Sequence, residues 1–181
     1  MSAVDTTTVW TIDPIHTVVE FATKHLMITT VKGRFGAVSG TIVKNGAGSK
    51  VEVEIQAASI DTRAQQRDDH LRSADFLEVE KYPTITFASR RIDGAFDTPG
   101  DEFTVIGDLT IHGTTREVAL AAVYEGQGRD PWGGERISFS AAATIDRRDY
   151  GLTFNQTLET GGVLVGNDLK VTLEVQATKS S

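Results

Sequence analysis

The histidine and acidic side chains are the groups in this 181-residue chain that could carry out chemistry. The four histidines, His16, His25, His70 and His112, titrate near neutral pH, so any of them beside a carboxylate could move protons. Residues 67–73 are the densest stretch of titratable groups, and a solvated helix face is the simpler interpretation of that stretch. No two histidines are two or four residues apart, which disfavours a local metal site. We predict no catalytic residue and no metal ligand.

Composition excludes several classes of function. The sequence contains no G-x-S-x-G, H-E-x-x-H or phosphate-binding glycine-rich motif. It contains no cysteine, so disulfides, thiolate catalysis and cysteine-ligated metals are excluded. The 18 basic and 25 acidic residues give a net charge of −7, which argues against nucleic acid as a partner. Because the sequence has neither a signal-peptide pattern nor a long apolar run, we expect a cytoplasmic protein without stable membrane insertion.

The elements that must position these groups are mostly strands, because apolar and polar residues alternate along the chain. Turn residues separate the alternating segments, and many short strands of this kind predict an antiparallel sandwich or barrel. The charged residues 63–80 break the alternation and predict one or two short helices, with Asp61 and Thr62 as candidate caps. A helical turn is also predicted over residues 24–28. The predicted strands, eight or nine in number, lie within residues 8–12, 17–23, 35–44, 51–57, 85–87, 103–111, 118–124, 137–145 and 169–177.

The inner face of such a barrel would be apolar. An eight-stranded barrel is either filled by its own side chains or holds one ligand, and the alternation is compatible with both. If the barrel is hollow, burial of methylene groups would favour a long hydrocarbon as its ligand. The candidate wall residues are Phe21, Phe35, Ile55, Phe76, Ile85, Phe87, Phe103, Val105, Leu109 and Phe139.

A set of motifs resembles the YceI family. Each motif is weak alone, but the ordered set covers roughly residues 8–177 and is highly specific. In chain order the motifs are WTIDPIHTVVEF at 10–21, VKGRF at 31–35, SIDT at 59–62, RDDHLRSADF at 67–76, YPTITF at 82–87, GDLTIHG at 107–113 and IDRRDYG at 145–151.

The resemblance implies one mainly all-β domain over residues 1–181, with its core at about 8–177. The implied fold is an extended, antiparallel, eight-stranded, lipocalin-like β-barrel with the helical segment 63–80 at or over one end. The implied ligand is a polyisoprenoid, an isoprenoid quinone or a similar long-chain lipid, held in an elongated apolar cavity. No catalytic step and no cofactor other than this lipid are implied, and a homodimer is a possible assembly.

The polar residues inside the family motifs have two interpretations. His25, Arg34, His70 and Arg72 are candidates for the mouth of the cavity, where they would face the head group of the lipid. In the competing interpretation, ion pairs pin the helix and the turns, and these involve Asp61, Arg67, Asp75 and Arg147.

Two other functions stay open at this stage. An enzyme acting on a bound lipid would need mouth histidines within hydrogen-bond reach of each other or of an acid. A stress-related interaction module would need a packed barrel interior, with the outer surface making the contacts.

Overall fold

One continuous antiparallel sheet dominates the computed structural model, which describes residues 6–46 and 48–180. Most of its strands fall where apolar and polar residues alternate, as the sequence predicts. The strands of this described part are β1 (Thr8–Ile12), β2 (Val18–His25), β3 (Thr29–Phe35), β4 (Val38–Lys44), β5 (Lys50–Gln56), β6 (Ile60–Asp61), β7 (Thr84–Asp93), β8 (Glu102–Ile111), β9 (Thr114–Arg129), β10 (Glu135–Asp146) and β11 (Asp168–Lys179).

The sheet closes into an eight-stranded barrel because the last strand pairs with the first. The closed order is β1, β4, β5, β7, β8, β9, β10 and β11, and β11 returns to β1 through its residues 177–179. The other half of β11 pairs with β2, which follows β1 after a 3-10 turn at Pro14–His16. Strands β3 and β6 continue the wall from β2. The predicted antiparallel eight-stranded barrel is therefore confirmed, and three further strands extend one end of it.

Strand register places the apolar faces inside. In β5 the half-buried Val51, Val53 and Ile55 alternate with exposed residues of the outer face. Val53 lies opposite Phe87 of β7, and Phe87 lies opposite Leu109 of β8. Three neighbouring strands thus present large apolar side chains at one level of the barrel.

A single short α-helix, α1 (Gln65–Arg72), is present in the described part of the chain, at one end of the barrel. The predicted caps are wrong, because α1 begins after Ala64, whose side chain makes no capping bond. Thr62 does not accept a hydrogen bond from the first turn of α1. Its backbone N–H and its hydroxyl both donate to the carboxylate of Asp68, which lies within the helix. No helix in the described residues has the length and apolar character needed to cross a membrane.

Residues 24–28 are not helical, which corrects the prediction made for them. Strand β2 continues to His25 and pairs with β3, with His25 opposite Thr29. Leu26 and Met27 turn the chain with φ angles of 53° and 63°. The sequence offers no glycine or asparagine at this turn, which is why neither the hairpin nor β3 was predicted.

Candidate functional site

An elongated cavity of about 270 Å³ runs inside the barrel. Phe103 and Ile111, near the two ends of β8, both line it. Eight residue steps at about 3.3 Å, along a strand tilted by about 40°, give the cavity a length of roughly 20 Å. A cavity that is this long and has so small a volume is narrow, and its shape suits one extended chain. The barrel is hollow, which the alternation of residues left open.

The wall of this cavity is apolar. Among the described residues, no polar atom is exposed to the cavity, although Thr17, Glu20, Thr23 and Arg147 are part of its lining. The structure places all ten predicted wall residues in the lining. That they contact a ligand stays a prediction.

Sequence reasoning named fewer wall residues than the structure shows. Val118, Leu120 and Val171 also line the cavity, and their alternating positions were a sufficient signal. Other wall residues come from segments without strand periodicity, so no pattern identified them; these are Ile60, Leu71, Leu77, Leu152 and Val165.

One end of the cavity is filled by aromatic rings, and we call it the aromatic end. The ring of Phe103 lies 5.0 Å from that of Phe96 and 5.8 Å from that of Phe139, and Phe139 lies 5.5 Å from Tyr124. All four side chains are buried. The ammonium group of Lys44 sits 5.0 Å from the centre of the Phe96 ring. Ring packing therefore closes this end.

The opposite end, which we call the helix end, is covered by α1 and by residues 152–167, which we call the lid. Arg147, only 3% exposed, holds the lid through its backbone. Its guanidinium donates to the carbonyl oxygens of Leu152 (2.6 Å), Phe154 (2.9 Å) and Gly166 (2.8 Å). Burial lowers the pKa of Arg147, while these carbonyl oxygens solvate the cation.

The side chain of Asn155 and the ring of Phe154 also hold the lid. The side-chain amide of Asn155 donates to the carbonyl of Val165 (2.8 Å), and its oxygen accepts from the N–H of Val165 (3.0 Å). The ring of Phe154 lies 5.0 Å from His70 of α1 and 5.1 Å from Phe76. The lid is thus a loop that is held by local contacts at its two ends and at α1.

The expectation that Arg67 and Arg147 form ion pairs is wrong in the described residues. Arg67 donates to the hydroxyl and carbonyl oxygens of Thr62, both at 2.8 Å, and Arg147 donates to carbonyl oxygens. The carboxylate of Asp61 accepts from the N–H of Arg63. Of the four residues expected in ion pairs, only Asp75 contacts an ionisable side chain of opposite type in the described residues. His70 Nε2 lies 2.8 Å from its carboxylate.

The four residues expected at the mouth lie around the helix end, but none is in the cavity lining. His70 contacts Phe76, a wall residue, and is about half exposed. Arg72 donates to the carbonyl oxygens of Ala58 and Ile60, which ties α1 to the chain before it.

The other two expected mouth residues belong to the β2–β3 hairpin. The backbone of His25 forms an isolated bridge with Val165 of the lid. Arg34 is exposed and pairs with Glu20 at 3.2 Å. The role of all four side chains toward a head group stays a prediction.

Two histidine–acid pairs lie outside the cavity lining. His16 Nδ1 and Arg136 Nη1 each lie 2.8 Å from Oδ2 of Asp13. Hydrogen bonds from His16 and from Arg136 lower the pKa of Asp13 to about 2. His112 Nε2 lies 3.4 Å from Glu78 without hydrogen-bond geometry. His70 and Asp75 form a third histidine–carboxylate pair. None of the residues in these three pairs belongs to the cavity lining.

Comparison with known proteins identifies the family. The family model described as YceI-like domain matches residues 10–177. Protein YceI of Escherichia coli O157:H7 is 43% identical over 140 residues, which is 76% of this chain and 71% of that protein. The crystal structure of the Campylobacter jejuni YCEI protein, 32% identical, matches with a TM-score of 0.72 over 87% of this chain and 90% of that chain.

A more distant structure shares the fold. A polyisoprenoid binding domain from Saccharophagus degradans, implicated in plant cell wall breakdown, matches with a TM-score of 0.73. The match covers 94% of this chain and 98% of that one at 16% sequence identity. The family model covers nearly the whole barrel, and the sequence relatives agree with it, so this chain belongs to the YceI family.

Proposed function

We propose that this protein binds one long-chain lipid of the polyisoprenoid type in its barrel, shields it from water and carries it unchanged. The observation that carries the proposal is the cavity itself, whose exposed wall is wholly apolar over the length of the barrel. A chain placed there exchanges contact with water for contact with side chains, which is favourable without any directional bond.

The shape of the cavity favours a chain over a compact ligand. A burial of about ten methylene-sized groups at ~0.8 kcal/mol each would contribute about 8 kcal/mol. That gain corresponds to a Kd on the order of 1 μM before ordering costs. Tight retention would therefore require a chain that fills the full length of the cavity.

The type of chain is suggested by a structural neighbour. The domain from Saccharophagus degradans is described as a polyisoprenoid binding domain, and it shares the architecture of this barrel. A polyisoprenoid is flexible and apolar along its whole length, which suits a narrow wall without polar groups.

Binding without catalysis is supported by the positions of the histidines and of Glu20, the lining residue whose carboxylate pairs with the exposed side chains of Lys32 and Arg34 rather than facing the cavity. A general acid or base must reach the substrate directly or through one water molecule. His16, His25, His70 and His112 all lie outside the cavity lining. We propose that the head group of the lipid rests at the helix end, near His70 and Arg72, while the tail lies in the barrel. A cytoplasmic location and a homodimer stay predictions from the sequence.

The test is native mass spectrometry followed by solvent extraction, on the whole chain and on two matched variants. Ala141 of β10 faces the cavity, and its neighbour Ala142 is exposed on the outer face of the same strand. Ala141→Phe fills the cavity, whereas Ala142→Phe adds the same ring outside. We expect the unmodified protein and Ala142→Phe to carry one lipid per chain, and Ala141→Phe to lose it.

Circular dichroism and thermal unfolding would first show that both variants fold. Equal lipid retention by the folded Ala141→Phe variant would contradict the cavity as the binding site. A clean apo mass for the unmodified protein, with no uptake of added prenyl lipids, would contradict the proposed function.

A further inference from the structure

The tip of the β2–β3 hairpin exposes three consecutive large apolar side chains. Leu26, Met27 and Ile28 are 38%, 60% and 76% exposed. Other strongly exposed large apolar residues of the described chain, such as Ile15 and Trp132, stand singly in the sequence. Single exposed apolar residues are ordinary on protein surfaces, whereas a contiguous patch indicates a contact surface.

The backbone of this tip shows that the apolar residues are not there to stabilise the turn. Leu26 and Met27 both have left-handed φ angles, which cost energy for any residue other than glycine. The β8–β9 hairpin makes its turn with His112 and Gly113, and there a glycine occupies one of the two left-handed positions. Asparagine or glycine would serve the β2–β3 turn better, so the turn itself does not require these side chains. The thioether of Met27 packs against Gly162 of the lid, whereas Ile28 is the most exposed of the three side chains.

The tip lies beside the lid of the cavity. The N–H of Leu26 donates to the carbonyl of Leu164 at 2.9 Å, and the N–H of Gly166 donates to the carbonyl of Lys24 at 2.9 Å. Val165, which lies between these two lid residues, lines the cavity. A surface that contacts the tip is therefore adjacent to the segment that a lipid must pass at the helix end.

The charge of the hairpin differs from that of the whole protein. Residues 18–35 contain Lys24, Lys32 and Arg34 against the single carboxylate of Glu20, which gives +2 in a chain of −7. The lid adds one negative charge, Glu159, which leaves a local excess of +1. The ammonium group of Lys24, close to the tip, bonds to the hydroxyl of Thr30 at 3.1 Å.

We propose that the tip of the β2–β3 hairpin docks on the surface of a bilayer that contains anionic lipids. The side chains of Met27 and Ile28 enter the interface, while Lys24 and Lys32 remain at the level of the phosphate groups. Anionic lipids suit the cations of the hairpin, which carries +2 in a chain of −7, so the charges favour contact through the hairpin itself. The proposal rests on the proposed function, because docking there serves the exchange of a lipid through the lid.

The experiment is co-sedimentation of the whole chain with vesicles, either of phosphatidylcholine or of phosphatidylcholine mixed with phosphatidylglycerol. The test variant is Met27→Asp/Ile28→Asp, in which aspartate tolerates the left-handed position better than methionine. The control is Ile15→Asp, a single change from an apolar side chain to aspartate at a residue that is 86% exposed. Ile15 lies near the end of β11 that is remote from the lid, because the N–H of Asp13 donates to the carbonyl of Gln176.

We expect the unmodified protein and Ile15→Asp to bind the mixed vesicles, with weaker binding to phosphatidylcholine alone. We expect the double variant to lose binding by about tenfold or more, a loss that corresponds to only 1.4 kcal/mol. The proposal is overturned if the unmodified protein binds neither vesicle, or if the double variant binds as well as the control. It is also overturned if the tip variants abolish a dimer in solution while vesicle binding is absent throughout.

Mass spectrometry of the same proteins distinguishes a failure of the docking proposal from a failure of the proposed lipid-carrier function. Mass spectrometry of the double variant, purified from cells, should still show the bound lipid, because the cavity wall is unchanged. If the unmodified protein carries no lipid but the tip-dependent vesicle binding is present, the carrier function fails and the docking surface stands.

Discussion

The two ends of the barrel are closed in different ways. At the aromatic end, three of the four packed rings belong to strands, namely Phe103, Tyr124 and Phe139. At the helix end, the lid is a loop without regular structure, held by hydrogen bonds from the side chains of Arg147 and Asn155 to its backbone. Removing the aromatic plug would disturb the strands of the barrel, whereas the lid lies outside the eight closed strands, so its opening would leave their pairing intact.

This difference assigns different roles to the two ends. Segments with few buried apolar contacts and with local hydrogen bonds open at lower free energy than core strands. The helix end is therefore the expected path of a ligand, and the aromatic end is the closed bottom of the cavity. The exposed hairpin tip lies at the same end as the lid, which is consistent with this assignment.

The largest expected effect on stability comes from a substitution in the ring cluster of the aromatic end. Phe103→Ala removes a buried ring that contacts both Phe96 and Phe139 and leaves a cavity behind. We expect a loss of about 3–5 kcal/mol in the free energy of unfolding, measured by urea denaturation. The control is Thr104→Ala, one residue along β8 on the other face, which should change stability far less. A loss below about 1 kcal/mol for Phe103→Ala would show that the rings do not form a plug.

An intermediate effect is expected at the lid. Arg147→Met removes donors from four lid carbonyl groups. Those of Gly166 and Val165 keep Thr23 and Asn155 as donors, whereas those of Leu152 and Phe154 lose their side-chain donor, and we expect a loss of about 2–3 kcal/mol. Hydrogen exchange of the lid amides should accelerate more than exchange in β8. Arg148→Met is the matched control, because the exposed Arg148 bonds to Asp146 rather than to the lid. If lid amides exchange at the same rate in Arg147→Met as in this control, Arg147 does not hold the lid.

The smallest effect concerns the ionic clamp on the outside of the aromatic end, where Arg136 joins Asp13 to Asp130. The pKa of Asp13 is lowered to about 2 in the folded state, below its unfolded value of about 3.9. The charged carboxylate therefore stabilises the fold above about pH 4, and this contribution disappears as the pH falls toward 2. Asp13→Asn should be less stable than the unmodified protein at neutral pH, and the difference should shrink on acidification.

The measurement is urea denaturation at neutral pH and near pH 3. Arg136→Met is the comparison variant, because it removes one of the two side chains that lower the pKa of Asp13, and it should weaken the same pH dependence. A stability difference between Asp13→Asn and the unmodified protein that is constant with pH would show that the clamp does not depend on the charge of Asp13.

Much of the wall of the cavity was predictable from the sequence. The pattern at residues 51–57 and 103–111 identified inward side chains correctly, because alternation in a strand is a local property of the backbone. The same reasoning failed at residues 24–28. The turn there uses Leu26 and Met27 in a conformation for which the sequence carries no signal.

The sequence by itself determined that the chain forms alternating strands with an apolar inner face, and its ordered motifs identified the family. Only the tertiary structure decided that the barrel is hollow, because the free volume depends on side chains from strands that are distant along the chain. It also decided the partners of Arg147, which binds carbonyl groups as far away as Gly166 rather than a carboxylate. A hydrogen bond between a side chain and a distant backbone leaves no pattern in residue types, so such contacts appear only once the chain has folded.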